Sequence, residues 1–332
     1  MSTYFNISGG RVNYVSSDPS DPQTGQVWYN STSATLKVRA VTTDNSWASA
    51  NNYPGPSRSY PGGFGVQTAA VMVGGYDPNT YATVGLYTGT TWTSGTSYPV
   101  AIRQIMMGGM GTQTAGLQAG GYNTAYVSAA NEFDGTTWTS GGTISTARGD
   151  GGAAGLQTAG LIFGGATEDS PPYVTASESY NGSTWTNTPS LNTARIGHGA
   201  GTQNAALMIS GYLNGGPTTT ATEKFNGSSW TAVNSVNTGR FGGATFGSET
   251  VAVIAGGQGP SGQTTTETWN GTSWTTNTAL PSARQYMGAG GIPGGQGVTF
   301  GGDNAGASPR PAVQTTQLWN GTYDSTKTVT VS

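Results

Sequence analysis

The stretch Tyr180–Trp185, which reads YNGSTW, recurs along the chain with small changes. Related strings are FDGTTW at Phe133–Trp138, FNGSSW at Phe225–Trp230 and WNGTSW at Trp269–Trp274. Three of these copies also spell Asn-x-Ser/Thr, the acceptor pattern for N-glycosylation. The string is therefore open to four interpretations: a sugar-attachment site, a turn, a binding motif, or the mark of a repeated fold.

Variation within the string favours the turn. The slot of Asn181 holds Asp134 in one copy and Thr88 in a more divergent one, each followed by Gly, and neither residue can carry an N-glycan. The constant feature is a turn-forming residue followed by Gly. Because Asn-Gly and Asp-Gly tolerate positive φ, we predict a two-residue type I′ hairpin turn in each copy.

Three markers keep phase along the chain with a period of about 46 residues. The first is a Trp, at Trp47, Trp92, Trp138, Trp185, Trp230 and Trp274, with Tyr323 in the next slot. The second is an Arg about ten residues later, at Arg58, Arg103, Arg148, Arg195, Arg240 and Arg284. The third is a small pair, at Gly74-Gly75, Gly120-Gly121, Gly164-Gly165, Ser210-Gly211, Gly256-Gly257 and Gly301-Gly302. Three markers in phase indicate a structural repeat.

Each repeat has the texture of β-structure. Short apolar runs such as AAVMVGGY and VAVIAGG end in the small pair, and their length and bounding glycines predict buried strands. A variable loop, a strand that ends at the turn and a strand that begins at the Trp follow. Four strands per repeat cannot bury both faces of one sheet, so the sheets must stack. We predict an all-β fold of four-stranded antiparallel sheets.

The order of Arg, apolar strand with Gly-Gly, aromatic-Asn/Asp-Gly turn and Trp resembles the kelch repeat. The resemblance covers Arg58 to about Tyr323 and implies a kelch-like β-propeller, a single domain in which residues 51–332 form six repeats. It implies little about function, because such folds host enzymes, scaffolds and binders.

The first 50 residues decide the number of blades. Arg11 precedes Arg58 by one period, and GQVWYN (Gly25–Asn30) stands where the apolar strand belongs, so we favour a degenerate first blade and seven blades. In that arrangement the C-terminal TKTVTVS finishes a blade or pairs with the first unit. The alternative has six blades, with Trp47 in a strand donated to the last blade.

The N-terminal segment carries a second resemblance. Residues 17–38, SDPSDPQTGQVWYNSTSATLKV, are similar to a hairpin module near the starts of tail-fibre and other virion proteins of tailed phages. The resemblance implies that the chain is a structural protein of a phage particle, and it leaves open whether residues 1–50 belong to the ring or form a docking segment.

Composition excludes several classes of protein. Charged residues make up 8% of the chain, against about 25% in typical domains. The net charge is −3 and no basic run exists, so we do not expect binding to nucleic acid. There is no Cys, which excludes disulfides and thiolate metal sites. MSTYFNISGG does not read as a secretory signal, and no apolar run approaches the length of a membrane span.

The repeated charges and Trp residues are expected to be structural. We predict that each Trp covers the sheet of the next blade. Glu178, Glu223 and Glu267 keep a fixed position before the turn, with Gln317 in the same slot, so we predict inter-blade ion pairs with the repeat Arg. A central channel lined by these Arg residues is the alternative.

His198 is the only histidine, and we predict a structural role for it. One His cannot build the two-His copper site of the kelch-type galactose oxidases, and no Gly-x-Ser-x-Gly nucleophile motif accompanies it. Asp77, Asp303 and Asn304 lack the spacing of a calcium loop. We predict no catalytic residue, no metal site and no cofactor.

The loops after the small pair vary most, and function is expected there. Tyr with Asn and Asp suits contact with carbohydrate or protein, since the ring offers apolar area and a hydroxyl. Packing of the loop bases is the competing interpretation. The candidate binding residues are Tyr76, Asp77, Tyr122, Tyr173, Tyr212, Asp303 and Asn304.

Two functions from different classes fit these observations. The first is a non-enzymatic phage virion protein, as tail fibre, adhesin or decoration, made in the host cytoplasm and located on the particle. Its expected partners are other virion proteins, a host surface glycan or protein and further copies of the chain. The second is a carbohydrate-active enzyme with paired carboxylates in the loops, drawn from Asp77, Glu168, Asp169 and Asp303.

Overall fold

The structure is a computed structural model that describes residues 12–20, 25–168, 172–259, 264–291, 295–305, 307 and 311–329, with the backbone alone for 40–43 and 322–327. Arg11 and Asp169 of the sequence predictions lie outside the described residues. The described residues form 28 strands and no helix, so the all-β prediction is confirmed. They accordingly contain no helix with the length and apolarity that a bilayer crossing requires.

The chain divides into two compact units. The N-terminal unit takes its described residues from Met1–Asp44 and Gly321–Ser332, and the repeat unit is Asn45–Asn320. In the N-terminal unit, β2 (Val27–Asn30) forms a hairpin with the first part of β3 (Thr35–Ala50), and β1 (Asn13–Val15) pairs in parallel with β2. The parallel pairing of β1 with β2 differs from the antiparallel pairing of the strands within the repeat sheets.

Five sheets of the repeat unit share one plan, four consecutive strands paired antiparallel in chain order. Sheet A contains β4 (Gly62–Val66), β5 (Ala69–Val73), β6 (Val84–Tyr87) and β7 (Trp92–Gly95). Sheet B contains β8 (Met110–Thr112), β9 (Ala115–Ala119), β10 (Ala129–Phe133) and β11 (Trp138–Thr143). Sheet C contains β12 (Gly152–Leu156), β13 (Ala159–Phe163), β14 (Ser177–Tyr180) and β15 (Trp185–Thr188).

The next two sheets repeat the plan with longer strands in sheet D. Sheet D contains β16 (Arg195–Thr202), β17 (Ala205–Leu213), β18 (Thr218–Phe225) and β19 (Trp230–Val233). Sheet E contains β20 (Ala244–Gly247), β21 (Ala252–Ala255), β22 (Thr266–Trp269) and β23 (Trp274–Asn277). The predicted repeat of four-stranded antiparallel sheets is therefore confirmed.

Sheet F joins both ends of the repeat unit. β25 (Gly288–Gly291), β26 (Gln296–Phe300) and the start of β28 (Thr316–Thr328) pair in order, and β3 lies next to β28. Trp47 of β3 packs on Trp319 of β28 with ring centroids 5.1 Å apart. Two short strands flank β25 and β26 in the chain: β24 (Arg284–Gln285) precedes β25, and β27 (Asp303–Asn304) follows β26. β24 and β27 pair with each other.

The apolar strands pack between neighbouring sheets. Phe64 and Val71 of sheet A, for example, share a buried cluster with Ile105 and Phe133 of the sheet B repeat. Similar clusters join B to C, C to D, D to E and E to F. A further cluster joins Val298 and Phe300 of sheet F to Ala70 and Met72 of sheet A. Each sheet thus buries both faces, and each fully buried large apolar side chain contributes about 1.5–3 kcal/mol.

The turn after the third strand differs from the predicted one. In Tyr180–Trp185 the two aromatic residues are cross-strand partners, and the N–H of Asn181 donates to the carbonyl of Thr184 at 3.3 Å. The central residues are therefore Gly182 and Ser183, and only Gly182 has positive φ, at +90°. A type I′ turn needs positive φ at both, so the type I′ prediction is wrong. Positive φ at a first central Gly is the pattern of type II′.

Asn181 acts through its side chain instead. Its Oδ1 accepts the N–H groups of Ser183 and Thr184 at 3.0 and 2.9 Å, and the Ser183 hydroxyl at 3.0 Å. The turn therefore needs a side-chain oxygen at this position, which explains why Asn, Asp and Thr interchange. The Asn-x-Ser pattern follows from the turn geometry. The same acceptor role falls to Thr88, Asp134, Asn226 and Asn270.

The repeated Trp packs on the preceding sheet rather than the next one as predicted. Trp138 lies on the same side of its sheet as Phe133, and that side packs against Phe64 of sheet A. Its Nε1 donates to the carbonyl of Thr96 at 3.0 Å. The Nε1 atoms of four other repeat Trp residues donate to the neighbouring sheet on the same side: Trp92 to Thr316, Trp185 to Gly141, Trp230 to Pro189 and Trp47 to Thr266. Trp274 Nε1 has no hydrogen-bond partner among the described residues.

Five of the six repeat Arg side chains are buried, and three of them pair with the predicted Glu. The pairs are Arg148–Glu178, Arg195–Glu223 and Arg240–Glu267. Each pair lies within one repeat, so the inter-blade prediction is wrong: the Arg precedes the first strand of a sheet, or begins it in the case of Arg195, and the Glu stands on the third strand of the same sheet. Arg284 donates to Gln317 at 2.8 Å, and Arg58 donates to the carbonyl of Gly74 at 2.8 Å. Burial lowers the pKa of all five guanidinium groups.

In five repeats the carbonyl group of the repeat Arg connects its sheet to a neighbouring sheet through a main-chain hydrogen bond. The N–H of Gly121 in sheet B donates to the carbonyl of Arg148, which leads into sheet C, at 2.9 Å. A Cβ on Gly120, whose φ is +63°, would lie 2.2 Å from the same carbonyl oxygen, so only Gly fits there. Equivalent bonds are Gly165 to Arg195, Gly211 to Arg240, Gly257 to Arg284 and Gly302 to Arg58.

Candidate functional site

The loop ends of the six sheets are joined by a series of hydrogen bonds. Five residues one or two positions after the repeat Arg have positive φ: Tyr60, Gln104, Asp150, Gly242 and Tyr286. Each segment donates a main-chain N–H to the carbonyl of its neighbour. The bonds run from Gln104 to Tyr60, Asp150 to Gln104, Gly197 to Asp150, Tyr286 to Gly242 and Tyr60 to Tyr286.

His198 supplies the sixth link. It is fully buried, and its Nε2 accepts the N–H of Gly243 at 2.9 Å, which connects sheet D to the segment leading into sheet E. Because Nε2 accepts, Nδ1 carries the proton and donates to the carbonyl of Ile209 at 3.1 Å. Burial lowers the pKa of His198 to about 4, so the ring is neutral at pH 7. Both ring nitrogens are used, which agrees with the predicted structural role.

The loops that carry the candidate residues lie at this same end. The residue after the small pair forms a short ladder with the residue after the repeat Arg, or with Arg103 itself in one repeat, and this ladder fixes the base of each loop. Tyr76 pairs with Ser59 and Tyr122 with Arg103. Tyr212 pairs with Ile196, and Asp303 pairs with Gln285. The seven candidate binding residues are all half-buried.

Tyr76 and Tyr122 are brought together around Arg103. The guanidinium carbon of Arg103 lies 4.4 Å from the ring centroid of Tyr76 and 4.8 Å from that of Tyr122. Tyr126 packs edge-on against Tyr122 at 5.3 Å. Asp77 follows Tyr76 in its loop, and its carbonyl accepts the Tyr81 hydroxyl. Two candidates that are far apart in sequence thus frame one cation.

Tyr173 and Tyr212 belong to a second group. Both pack on a cluster that contains Ile196, Phe241 and Tyr286. Tyr60 stacks on Tyr286 with centroids 4.0 Å apart, and burial raises the pKa of Tyr60, with Tyr286 and the carboxylates of Asp150 and Asp303 adding to the effect. Asn304 is held by the carbonyl of Pro311. The two aromatic groups meet at Tyr126, which packs on Tyr122 and also on the cluster of Ile196 and Phe241.

The first strands of the six sheets line a cavity of about 200 Å³ at the end opposite the candidate loops. Its wall is made of Gly and small or apolar residues and contains no ionisable side chain. The predicted alternative of an Arg-lined channel is wrong, because the repeat Arg side chains lie elsewhere. Every sheet contributes a Gly to the wall: Gly65, Gly111, Gly155, Gly201, Gly247 and Gly291.

Sequence reasoning missed the residues that link the loop ends. Tyr60, Gln104, Asp150 and Tyr286 share a position relative to the repeat Arg but differ in type, so only their phase could have identified them. The described residues hold no group of three or more His, Asp or Glu placed to bind a metal ion. A scan of protein-family models found no match to the chain, and a search of curated proteins found none either.

Proposed function

We propose that sheets A to F close into a six-bladed, kelch-like β-propeller. Support comes from the six hydrogen-bonded links at the loop end, of which the one from Tyr60 to Tyr286 joins sheet A to sheet F. The buried cluster of Phe300 and Met72 and the bond from Gly302 to Arg58 join the same two sheets. Closure also buries the outer faces of sheets A and F, which an open array would expose.

The proposed ring has six blades, the alternative to the seven that the sequence favoured. GQVWYN contributes β2 to a hairpin whose other neighbour is the parallel strand β1, whereas every repeat sheet is antiparallel. Trp47 lies on β3 beside β28 and bonds to Thr266 as the other Trp residues bond to their neighbours. A strand given to the last blade accounts for both facts.

On this scaffold we propose a non-enzymatic binding protein of a phage particle, displayed as a tail fibre, adhesin or decoration. The observation that carries the binding role is the gathering of Tyr76, Tyr122, Tyr173 and Tyr212 at the loop end, beside Arg103, which forms no ion pair with a carboxylate of the described residues. Aromatic rings with polar neighbours on variable loops are a common basis for recognising sugars and proteins.

The N-terminal unit is proposed to attach the chain to other virion proteins. Its segment 17–38 carries the resemblance to tail-fibre modules, and it folds as the hairpin of β2 and β3. Two large side chains at β1 provide apolar surface for a partner. Tyr14 on the strand is 75% exposed, and Val12 just before it is 42% exposed. This division of roles leaves the loop end of the repeat unit free to bind the host.

The particle itself provides the test. We expect mass spectrometry of purified virions to find this chain at a fixed copy number, and cryo-electron microscopy to place its loop end outward. Absence from washed, infectious particles would refute the virion role. Appearance of shortened saccharides when the protein is incubated with host polysaccharide would instead favour the glycoside hydrolase alternative.

A further inference from the structure

Arg103 departs from the arrangement that its sequence spacing suggests. In the other five repeats the second residue of the small pair donates its N–H to the carbonyl of the repeat Arg, but Gly75 donates to Ile102. Ile102 therefore takes the structural place of the Arg, and its side chain is fully buried in the core. Arg103 is displaced by one residue, onto the ladder position that Ser59, Gly149, Ile196, Phe241 and Gln285 occupy elsewhere.

This displacement places a cation at the loop end. Among the described residues, no carboxylate lies within salt-bridge distance of Arg103 and its guanidinium donates no hydrogen bond. Its Nε is buried without a partner, while the side chain as a whole is half-buried. The main chain is fixed on both sides by bonds with Tyr122, at 3.0 and 2.7 Å. Arg103 is thus a positioned positive charge with free donors.

Arg58 shows what a purely structural Arg between two tyrosines looks like. Its guanidinium carbon lies 4.6 Å from the ring centroid of Tyr53 and 5.1 Å from that of Tyr81. Unlike Arg103, it is 1% exposed and donates to the carbonyls of Gly74 and Thr83. Arg103 also lies between two tyrosine rings, those of Tyr76 and Tyr122, but it has no internal acceptors among the described residues, so its donors remain for a ligand.

We infer that Arg103, Tyr76 and Tyr122 form a binding site for the carboxylate group of an acidic saccharide. The inference rests on the proposed role in host binding. A guanidinium matches a carboxylate with two parallel hydrogen bonds, and flanking tyrosine rings offer apolar faces to the C–H groups of a sugar. In three other repeats a Glu of the protein pairs with the Arg, and here the ligand supplies the acid.

A binding experiment with defined saccharides tests the site. The probes are a tetrasaccharide of uronic acids and the same tetrasaccharide with its carboxyl groups reduced to alcohols, titrated calorimetrically into the full chain. We expect binding of the acidic form only, weakened at least about tenfold in Arg103→Met, because a charge-assisted bidentate contact is lost. Arg103→Lys should weaken it less. Lys224→Met removes the same charge from a distant surface and should leave binding unchanged.

Several outcomes would overturn the inference. Equal affinity of wild type and Arg103→Met for the acidic probe would do so, as would equal binding of the reduced probe. Failure of the wild type to bind the acidic probe would also overturn it, while the copy number in virions still tests the proposed function separately. If host-cell binding survives Arg103→Met and is abolished by protease treatment of the cells, the loops recognise a protein and the saccharide site is refuted. Thermal unfolding of each variant checks that it folds.

Discussion

At the scale of single residues, the buried Arg–Glu pairs show how one fold accepts either charge or apolar packing. A buried pair gains little over apolar residues of similar volume, yet loss of one partner leaves an uncompensated charge. Sheet B does without the ion pair, because Ile102 stands in the Arg place and the uncharged Asn131, which donates to the Tyr98 hydroxyl, stands in the Glu place. The ion pairs are therefore replaceable as pairs but not singly.

This reasoning predicts a large effect at Glu178. Replacement by Leu removes the acceptor of Arg148 and of the Ser145 N–H, and should lower the free energy of unfolding by about 3–5 kcal/mol. The double variant Arg148→Met, Glu178→Leu should be more stable than Glu178→Leu alone. Urea unfolding followed by Trp fluorescence measures both. A double variant that is no more stable than the single one would contradict the explanation.

A second prediction at this scale concerns acid sensitivity through His198. Its pKa of about 4 in the folded chain lies below the ordinary 6.5, so the unfolded state binds the proton first as the pH falls. The stability from neutral His198 is complete above pH 6.5 and is lost between 6.5 and 4, by roughly 3 kcal/mol in all. In His198→Gln this part of the pH dependence should be absent. If the unfolding free energies of the wild type and of His198→Gln change with pH in the same way between 6.5 and 4, His198 is not the source of the acid sensitivity.

At the scale of the element, the hairpin turn depends on a side-chain acceptor and a positive φ. Asn181→Asp should be tolerated near pH 7, because Asp134 fills the same role in sheet B. Asn181→Ala should cost about 1 kcal/mol for the lost hydrogen bonds. Gly182→Ala should also cost about 1–2 kcal/mol, since a φ of +90° is unfavourable for Ala. Melting temperatures rank the three, and an unstable Asn181→Asp would count against the acceptor explanation.

Sequence periodicity located the elements better than it located their contacts. The spacing of Trp and Gly-Gly identified the four-stranded sheets, because buried strands and turns leave marks in residue type. It could not show the direction in which Trp138 packs, since either neighbour would bury the ring. Nor could it show that Arg103 is displaced by one residue, because Ile102 beside it is an unremarkable apolar residue until its carbonyl bond to Gly75 is seen.

At the scale of the whole molecule, the proposed closure of the ring predicts that damage in one sheet reaches both neighbouring sheets. Trp47→Ala should cost about 3–5 kcal/mol by removing packing on Trp319 and the bond to Thr266. Hydrogen exchange should then accelerate in sheets E, F and A, and less in B and C. Trp138→Ala is the matched control and should centre the change on sheets A and B. Unchanged exchange in sheet A of Trp47→Ala would speak against closure.

Sheet F also sets the order of events during synthesis. β3 emerges from the ribosome before any repeat sheet, whereas β28, its partner, is made after all the others. Residues 45–50 must therefore wait, unpaired, through translation of nearly the whole repeat unit, and their pairing closes the longest loop in the fold. Completion of this sheet requires β28, so a product truncated before Thr316 would leave β3 and β26 without this strand.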